Sequence, residues 1–288
     1  MPKNVRGSVF ITGATGGIGA AATSLLVRQG YTVFAGIHSD NGADLTASGA
    51  KVIAIDVTDP DSVAAAADRV ASEVGEAGLR AVINNAGIIV QGPLELVPPD
   101  QLRHQFAVNT FGPAYVTQAF LPLLRAGGGR VINISAPTAR LTMPFLAPLS
   151  ASKAALSSMS NALRLELAAW RIPVVVIEPS GTRTEIFTKA DRSAQAALTA
   201  TDPERTRLYE RQLAAVAKAS AAMKLDPVDS VAKVVAASVS ARAPKRRYSV
   251  GGGARAAGLL THLPAGLRER ILVAASGLGA AARADGAR

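Results

Sequence analysis

The 288-residue chain contains no cysteine, which excludes disulfides, thiol catalysis and thiolate metal sites. Histidine is nearly as scarce: His38, His104 and His262 are far apart in sequence, and no metal site is expected. Aromatic residues make up only 4% of the chain, and no aromatics alternate with arginine, so no specific nucleic-acid partner is expected. No run approaches the roughly eighteen uncharged apolar residues that a membrane span needs. The first residues, MPKNVRGSVFITGATGG, lack an apolar signal core, so the expected location is cytoplasmic.

Acidic residues are outnumbered, 21 against 31 basic ones, for a formal charge of +10. The excess is concentrated late, with nine Lys/Arg against Glu269 and Asp285 in residues 242–288. Without a recognition motif this reads as a solvated basic surface. Residues 256–278 are apolar with a basic middle. A terminal helix docked over its own fold accounts for them, with membrane-surface contact as the lesser alternative.

What is abundant is apolar and small, with 49% hydrophobic residues and 26 glycines. β-branched runs at residues 8–12, 31–37, 51–55, 80–84, 130–135, 173–178 and 248–250 alternate with Ala-rich stretches at 18–29, 60–74, 99–125, 150–170, 203–223 and 227–240. Strand-helix alternation of this kind builds a parallel sheet from βαβ units. The expected fold is α/β, a Rossmann-type doubly wound, seven-stranded parallel sheet with helices on both faces. One domain over residues 1–251 is expected, with a substrate lid at about 183–223. A basic helical extension and loose tail then fill 252–288. Ligands in such sheets bind where strand carboxyl ends meet a reversal of winding.

TGATGGIG, residues 12–19, follows the first strand and opens the first helix. Gly13, Gly17 and Gly19, with Thr15 and Ile18 between them, allow a tight turn and close approach of a pyrophosphate to the helix amino terminus. Further along come DVTD at 56–59, NNAG at 84–87, Asn109 in a long helical stretch, NIS at 133–135 and SASK at 150–153. In this order and spacing the motifs resemble the short-chain dehydrogenase/reductase family over about residues 8–251.

The resemblance implies a nicotinamide dinucleotide along the carboxyl edge of the sheet, and a homo-oligomer, dimer or tetramer. Carried over residue by residue, Asp56 accepts from the adenine amino group with Val57 beside the ring. Asn85, Ala86 and Gly87 pass under the adenine ribose. Pro179, Thr182 and Thr184 belong to the loop holding the carboxamide, where Ser180 replaces the usual glycine. Lys153 donates to the nicotinamide ribose, and Asn109 organises a water behind it. At the end of the second strand, where an acid selects NAD, this chain has Ile37 and His38. NADP(H) is therefore favoured over NAD(H), with His38 either on the extra phosphate or an ordinary surface residue.

The pattern breaks at the reacting centre. The family's tyrosine position is Leu149, and the serine position thirteen residues earlier is Ala136. Tyr31, Tyr115, Tyr209 and Tyr248 all lie more than thirty residues from Leu149, so a slipped register is excluded. Ser135, Ser150, Ser152, Thr138, Thr142 and Tyr209 are the candidates to stand in.

Losing a general acid costs about 10²- to 10⁴-fold and an oxyanion donor about 10²- to 10³-fold. Ordinary alcohol/ketone interconversion is thus disfavoured. The expected function is hydride transfer to a small hydrophobic molecule whose reduction needs no tyrosine proton, a C=N or an activated C=C. Two alternatives stay open: a catalytically silent NADP(H)-binding homologue acting as a sensor or partner subunit, and a non-redox cyclase or isomerase.

Overall fold

A computed structural model describes residues 6–38 and 42–279. Among them, seven strands form one parallel sheet: β1 (Ser8–Thr12), β2 (Thr32–Ile37), β3 (Lys51–Ala54), β4 (Ala81–Asn84), β5 (Val131–Ile134), β6 (Val174–Pro179) and β7 (Arg247–Val250). Their order is β3-β2-β1-β4-β5-β6-β7. Winding reverses between β1 and β4, which pair in register from Val9↔Ala81 to Ile11↔Ile83. The carboxyl ends of these two strands therefore flank the crevice. The doubly wound sheet expected from the sequence is the one observed.

Helices cover both faces of the sheet, so its central strands β1, β2, β4, β5 and β6 are almost wholly buried and mostly apolar rather than alternating. On one face α1 (Gly17–Arg28) and α10 (Val228–Ser240) bury Ala22, Leu26, Val231 and Val235 against Val9, Ile11 and Val33. On the other, α3 (Pro60–Val74) and α5 (Gly112–Ala126) pack onto Phe10, Phe34 and Val82. Phe10 and Phe120 stack there with centroids 4.2 Å apart, and each fully buried ring contributes about 2–3 kcal/mol. Asp59 caps α3 by accepting from the Asp61 amide at 3.0 Å, with Pro60 at the first helical position; both choices suit a helix start.

Differences from the expected elements have local causes. The stretch 99–125 forms α4 (Pro99–Phe106), a π turn (Ala107–Phe111) and then α5. Residues 203–223 divide into α8 (Pro203–Arg207) and α9 (Glu210–Ala221). Two further helices, α2 (Ala43–Ala47) and α7 (Ile186–Ala200), occupy stretches read as loop. The second is amphipathic but buries only Ala190, and its apolar positions are mostly alanines, a weak signal in sequence. The terminal helix is two, α11 (Gly252–Leu260) and α12 (Ala265–Ala275), separated at Pro264, where the ring cannot continue a helix. The expected loose tail after residue 279 lies outside the described residues. Among the described residues no helix is long and apolar enough to cross a membrane.

Arg130 shows how the fold uses a buried cation. Its Nη1 donates to the carbonyls of Ser238 at 2.6 Å and Ala241 at 2.7 Å, closing the carboxyl end of α10, where a positive charge also meets the helix dipole. Burial, with Arg80 nearby, pushes its guanidinium down to about 10. The group is expensive to bury but holds carbonyls that would otherwise be orphaned. Arg130→Ala is expected to lower the unfolding free energy by about 2 kcal/mol in a urea titration, because orphaned carbonyls outweigh the relief of burying charge.

Candidate active site

Loops at the carboxyl ends of β1, β4 and β6 converge on the amino end of α1. Gly13, at φ +64°, turns the chain out of β1, and a Cβ added there would lie 2.8 Å from Ala86 Cα. At Gly19 an added Cβ would lie 2.2 Å from the Gly13 carbonyl oxygen, and at Gly17 2.6 Å from Thr184 Cγ2. Only glycine lets these segments close into one cradle. Side chains lock it: Thr12 Oγ1 accepts from the Asn85 and Ala86 amides at 3.1 and 3.0 Å, while Asn85 Nδ2 donates to the Thr12 and Gly13 carbonyls at 3.0 Å each. The first turn of α1 carries no acidic residue. Its free amides and positive dipole end thus face the cradle unopposed, as a pyrophosphate requires.

Asp56 follows β3. Its Oδ1 accepts from the Thr58 amide at 2.8 Å and the Thr58 hydroxyl at 2.7 Å. Partial burial pushes this carboxyl up, but the Thr58 hydrogen bonds and the His38 imidazole outweigh it and hold it below the usual carboxylate range. His38 Nε2 lies 3.5 Å from Asp56 Oδ2 with its side chain 77% exposed. It is thus an accessible group linked to the end of β3, and no carboxylate occupies 37 or 38. Val57, next in the chain, is buried in the core cluster with Phe10 and Phe34, where a Cβ added at Gly112 would lie 3.0 Å from its Cγ2.

At the reacting end, the π turn places Asn109 so that its Nδ2 donates to the Ile88 carbonyl and its Oδ1 accepts from the Ile88 amide, both at 2.9 Å. Widened helical turns of this kind recur at functional sites. Gln105, one turn earlier, holds the same loop through the Val90 amide at 2.6 Å and the Ile88 carbonyl at 3.1 Å. Lys153 stands on α6 (Ala147–Glu166), its Nζ 2.8 Å from the Ile134 carbonyl. Burial pushes its amine down to about 8. A Cβ added at Gly87 would sit 3.3 Å from Asn109 Oδ1 and 3.6 Å from Lys153 Nζ, so amide and amine meet at that one residue.

Leu149, one turn before Lys153, is 7% exposed, and Ala136 follows β5 with no hydroxyl to offer. Three of the six candidate replacements are committed elsewhere. Ser135 faces α6, bonding the Lys153 carbonyl at 3.4 Å and the Ser157 hydroxyl at 3.1 Å. Ser152 donates to the Leu149 carbonyl and accepts from Gln105. The Tyr209 hydroxyl donates to Glu95 Oε2 at 2.8 Å, which pushes the phenol up, away from easy proton loss. Thr142 is exposed. The Ser150 and Thr138 hydroxyls are buried without a hydrogen-bond partner among the described residues.

The carboxamide-loop candidates Pro179, Thr182 and Thr184 come together at the end of β6. Sequence reasoning missed Asp226 there. Its carboxylate accepts from the Ser180 hydroxyl, its amide donates to the Gly181 carbonyl at 2.8 Å, and its carbonyl accepts from the Arg183 amide at 2.9 Å. The serine in the usual glycine position is therefore held rather than loose. Missed as well was Glu178, completely buried, paired with Arg140 and Arg247.

Against known proteins, the short chain dehydrogenase family model matches residues 8–195. Estradiol 17-beta-dehydrogenase 2 of Rattus norvegicus is 37% identical over 193 residues, 64% of this chain. The match spans only about half, 50%, of that relative's length. An NADPH-dependent 3-dehydrocapnine reductase of Ornithobacterium rhinotracheale is 33% identical over 251 residues, covering 83% of this chain and 86% of that one. A Burkholderia cenocepacia J2315 short chain dehydrogenase solved in complex with NADP superposes with a TM-score of 0.71 at 26% identity, over 93% of this chain and 98% of that one.

Proposed function

Because the chain belongs to the short-chain dehydrogenase family, we propose that it binds NADP(H) and transfers hydride to a small hydrophobic molecule whose reduction requires no tyrosine proton. The observation carrying this is a contrast of chemistry: the Asn109 amide and the Lys153 amine both lie beside Gly87, while position 149, one turn before Lys153, is a buried leucine. The cradle residues fit a dinucleotide, since the glycine turn after β1 leads directly into the amino end of α1, whose first turn carries no acidic side chain to oppose a diphosphate.

When bound, NADPH supplies the hydride. Lys153 would donate to the nicotinamide ribose hydroxyls, Asn85 to Gly87 would floor the adenine ribose, Asp56 would accept from the adenine, and Thr182 with Thr184 would hold the carboxamide. The absence of an acid at 37 and 38 removes the repulsion that a 2′-phosphate would meet, which supports NADP(H) over NAD(H); the two relatives that carry NADP or NADPH in their names point the same way.

The chemistry at residues 136 and 149 sets the acceptor. A ketone taking hydride becomes an alkoxide, which needs a donor and then a proton; neither Ala136 nor Leu149 has one. An iminium carbon taking hydride becomes a neutral amine and discharges a cation, so an apolar wall helps. An activated C=C places its negative charge away from that wall, where solvent can protonate it. Titration of NADPH by fluorescence should saturate. Turnover with a stereospecifically deuterated cofactor is expected for imines or enones, with label transferred, and not for simple ketones. Ketone reduction at rates ordinary for the family overturns this function.

A further inference from the structure

Glu178 is the penultimate residue of β6, directly before Pro179 of the carboxamide loop, and is 0% exposed. A carboxylate taken wholly out of water must be paired and hydrogen-bonded. Here Arg140 grips it with both arms, Nη2 at 2.6 Å from Oε2 and Nε at 3.2 Å from Oε1, and Arg247 Nη1 meets Oε1 from the far side. Arg140 also reaches Ser249 Oγ at 3.4 Å. A Cβ added at Gly258 of α11 would lie 3.5 Å from Arg140 Nη2, so the C-terminal helix roofs the cluster.

The three charged residues come from three different segments, one loop and two neighbouring strands. Arg140 closes the short helical turn after Ala136, Glu178 belongs to β6 and Arg247 to β7, where Glu178 pairs in register with Ser249. The cluster therefore fixes the loop that carries the lost serine position against the strand that launches Pro179. The other end of the carboxamide loop is fixed separately by Asp226 through Ser180, Gly181 and Arg183. The adenine-side residues Asp56 and Asn85 hang on β3 and β4 and make no hydrogen bond to this cluster.

Resting on the cofactor reading above, we infer that Glu178, held by Arg140 and Arg247, is a positioning residue that sets the nicotinamide half of the site independently of the adenine half. Bidentate Arg140 geometry is directional, so it fixes the angle at which β6 delivers Pro179 and the loop beyond it as well as the distance. Replacing the carboxylate by an amide leaves two guanidinium groups facing each other across a neutral acceptor. The end of β6 then shifts relative to residues 136–140, while β1, β4 and the glycine turn stay where they are.

The test compares two ligands that share the adenine half. Adenosine 2′,5′-bisphosphate and NADPH are titrated by calorimetry into the full chain and into Glu178→Gln. NADPH is expected to bind at least about tenfold more weakly to the variant, the bisphosphate within about twofold of the parent. Arg140→Gln removes the two-armed grip from a side chain 27% exposed while Arg247 stays on the carboxylate, and gives the same selective loss at smaller size, should Glu178→Gln fail to fold. Equal weakening of both ligands, or of neither, in the folded variant overturns the inference and leaves the cofactor reading standing. A parent chain that binds neither ligand overturns both.

Discussion

Leu149→Tyr combined with Ala136→Ser is expected to raise the rate of NADPH-dependent ketone reduction by about 10³-fold over the parent chain. A positioned general acid contributes about 10²- to 10⁴-fold and one donor to the developing oxyanion about 10²- to 10³-fold, and groups acting as a unit are not additive. The surroundings that such a tyrosine needs are already built. Position 149 lies one turn before Lys153 on α6, so their side chains share a face. Lys153 Nζ is 2.8 Å from the Ile134 carbonyl at the end of β5, two residues before position 136. The buried ammonium would favour the phenolate and so lower the new hydroxyl's pKa. The single change Leu149→Tyr should give most of the gain and Ala136→Ser alone little, because a donor without a proton source leaves the alkoxide charged. Initial rates with an aromatic ketone, following NADPH absorbance, decide it. A double variant that binds NADPH yet stays inert to ketones would mean that the wall at 149 is closed to substrate.

Much of this was legible in the chain itself, and the parts that were not share a cause. Strands β1 to β6 are short runs rich in Val, Ile and Phe, and a sheet buried on both faces writes itself into sequence that way. The glycine turn was readable because Gly13 and Gly19 leave no room for a Cβ, a constraint tied to residue type at fixed spacing. The departures proposed at 136 and 149 rest on the same kind of fixed spacing, with SASK anchoring the count. Asp226 was not: it lies forty-six residues from its partner Ser180, and nothing local marks an aspartate as someone else's cap. Glu178 carried a faint signal as a charged residue closing the apolar run VVVI, but its two arginines lie 38 and 69 residues away, a distance only the fold can close. The π turn at Asn109 was hidden because one inserted residue barely disturbs helical periodicity. Sequence pattern therefore reports what backbone geometry demands and is silent on what pairing across the sheet supplies.

The same logic yields a second large effect, in the opposite direction for stability and for function. Lys153→Met is expected to stabilise the ligand-free protein at pH 7 by about 1–2 kcal/mol while weakening NADPH binding by about 10- to 100-fold. Burial lowers the Lys153 amine from an ordinary 10.5 to about 8, a penalty on the folded state of about 3 kcal/mol when the group is charged. The hydrogen bond to Ile134 offsets about 1–2 kcal/mol of that. Methionine fills a similar volume with no charge to desolvate. The pH dependence fixes the sign. Below pH 8 both folded and unfolded lysine are protonated and the full penalty applies. Between pH 8 and 10.5 the unfolded state holds more protons, so the parent's stability rises with pH relative to the variant. The advantage of Lys153→Met in urea titrations should therefore be greatest at pH 7 and fade towards pH 10, other titrating groups cancelling between the two proteins. A variant that is less stable at pH 7, or whose advantage does not change with pH, would show that the amine is not buried in its charged form. If it is, the chain carries an uncompensated cation next to a leucine at a cost to its own stability, and the ribose hydroxyls of a bound dinucleotide are the partners that would relieve it.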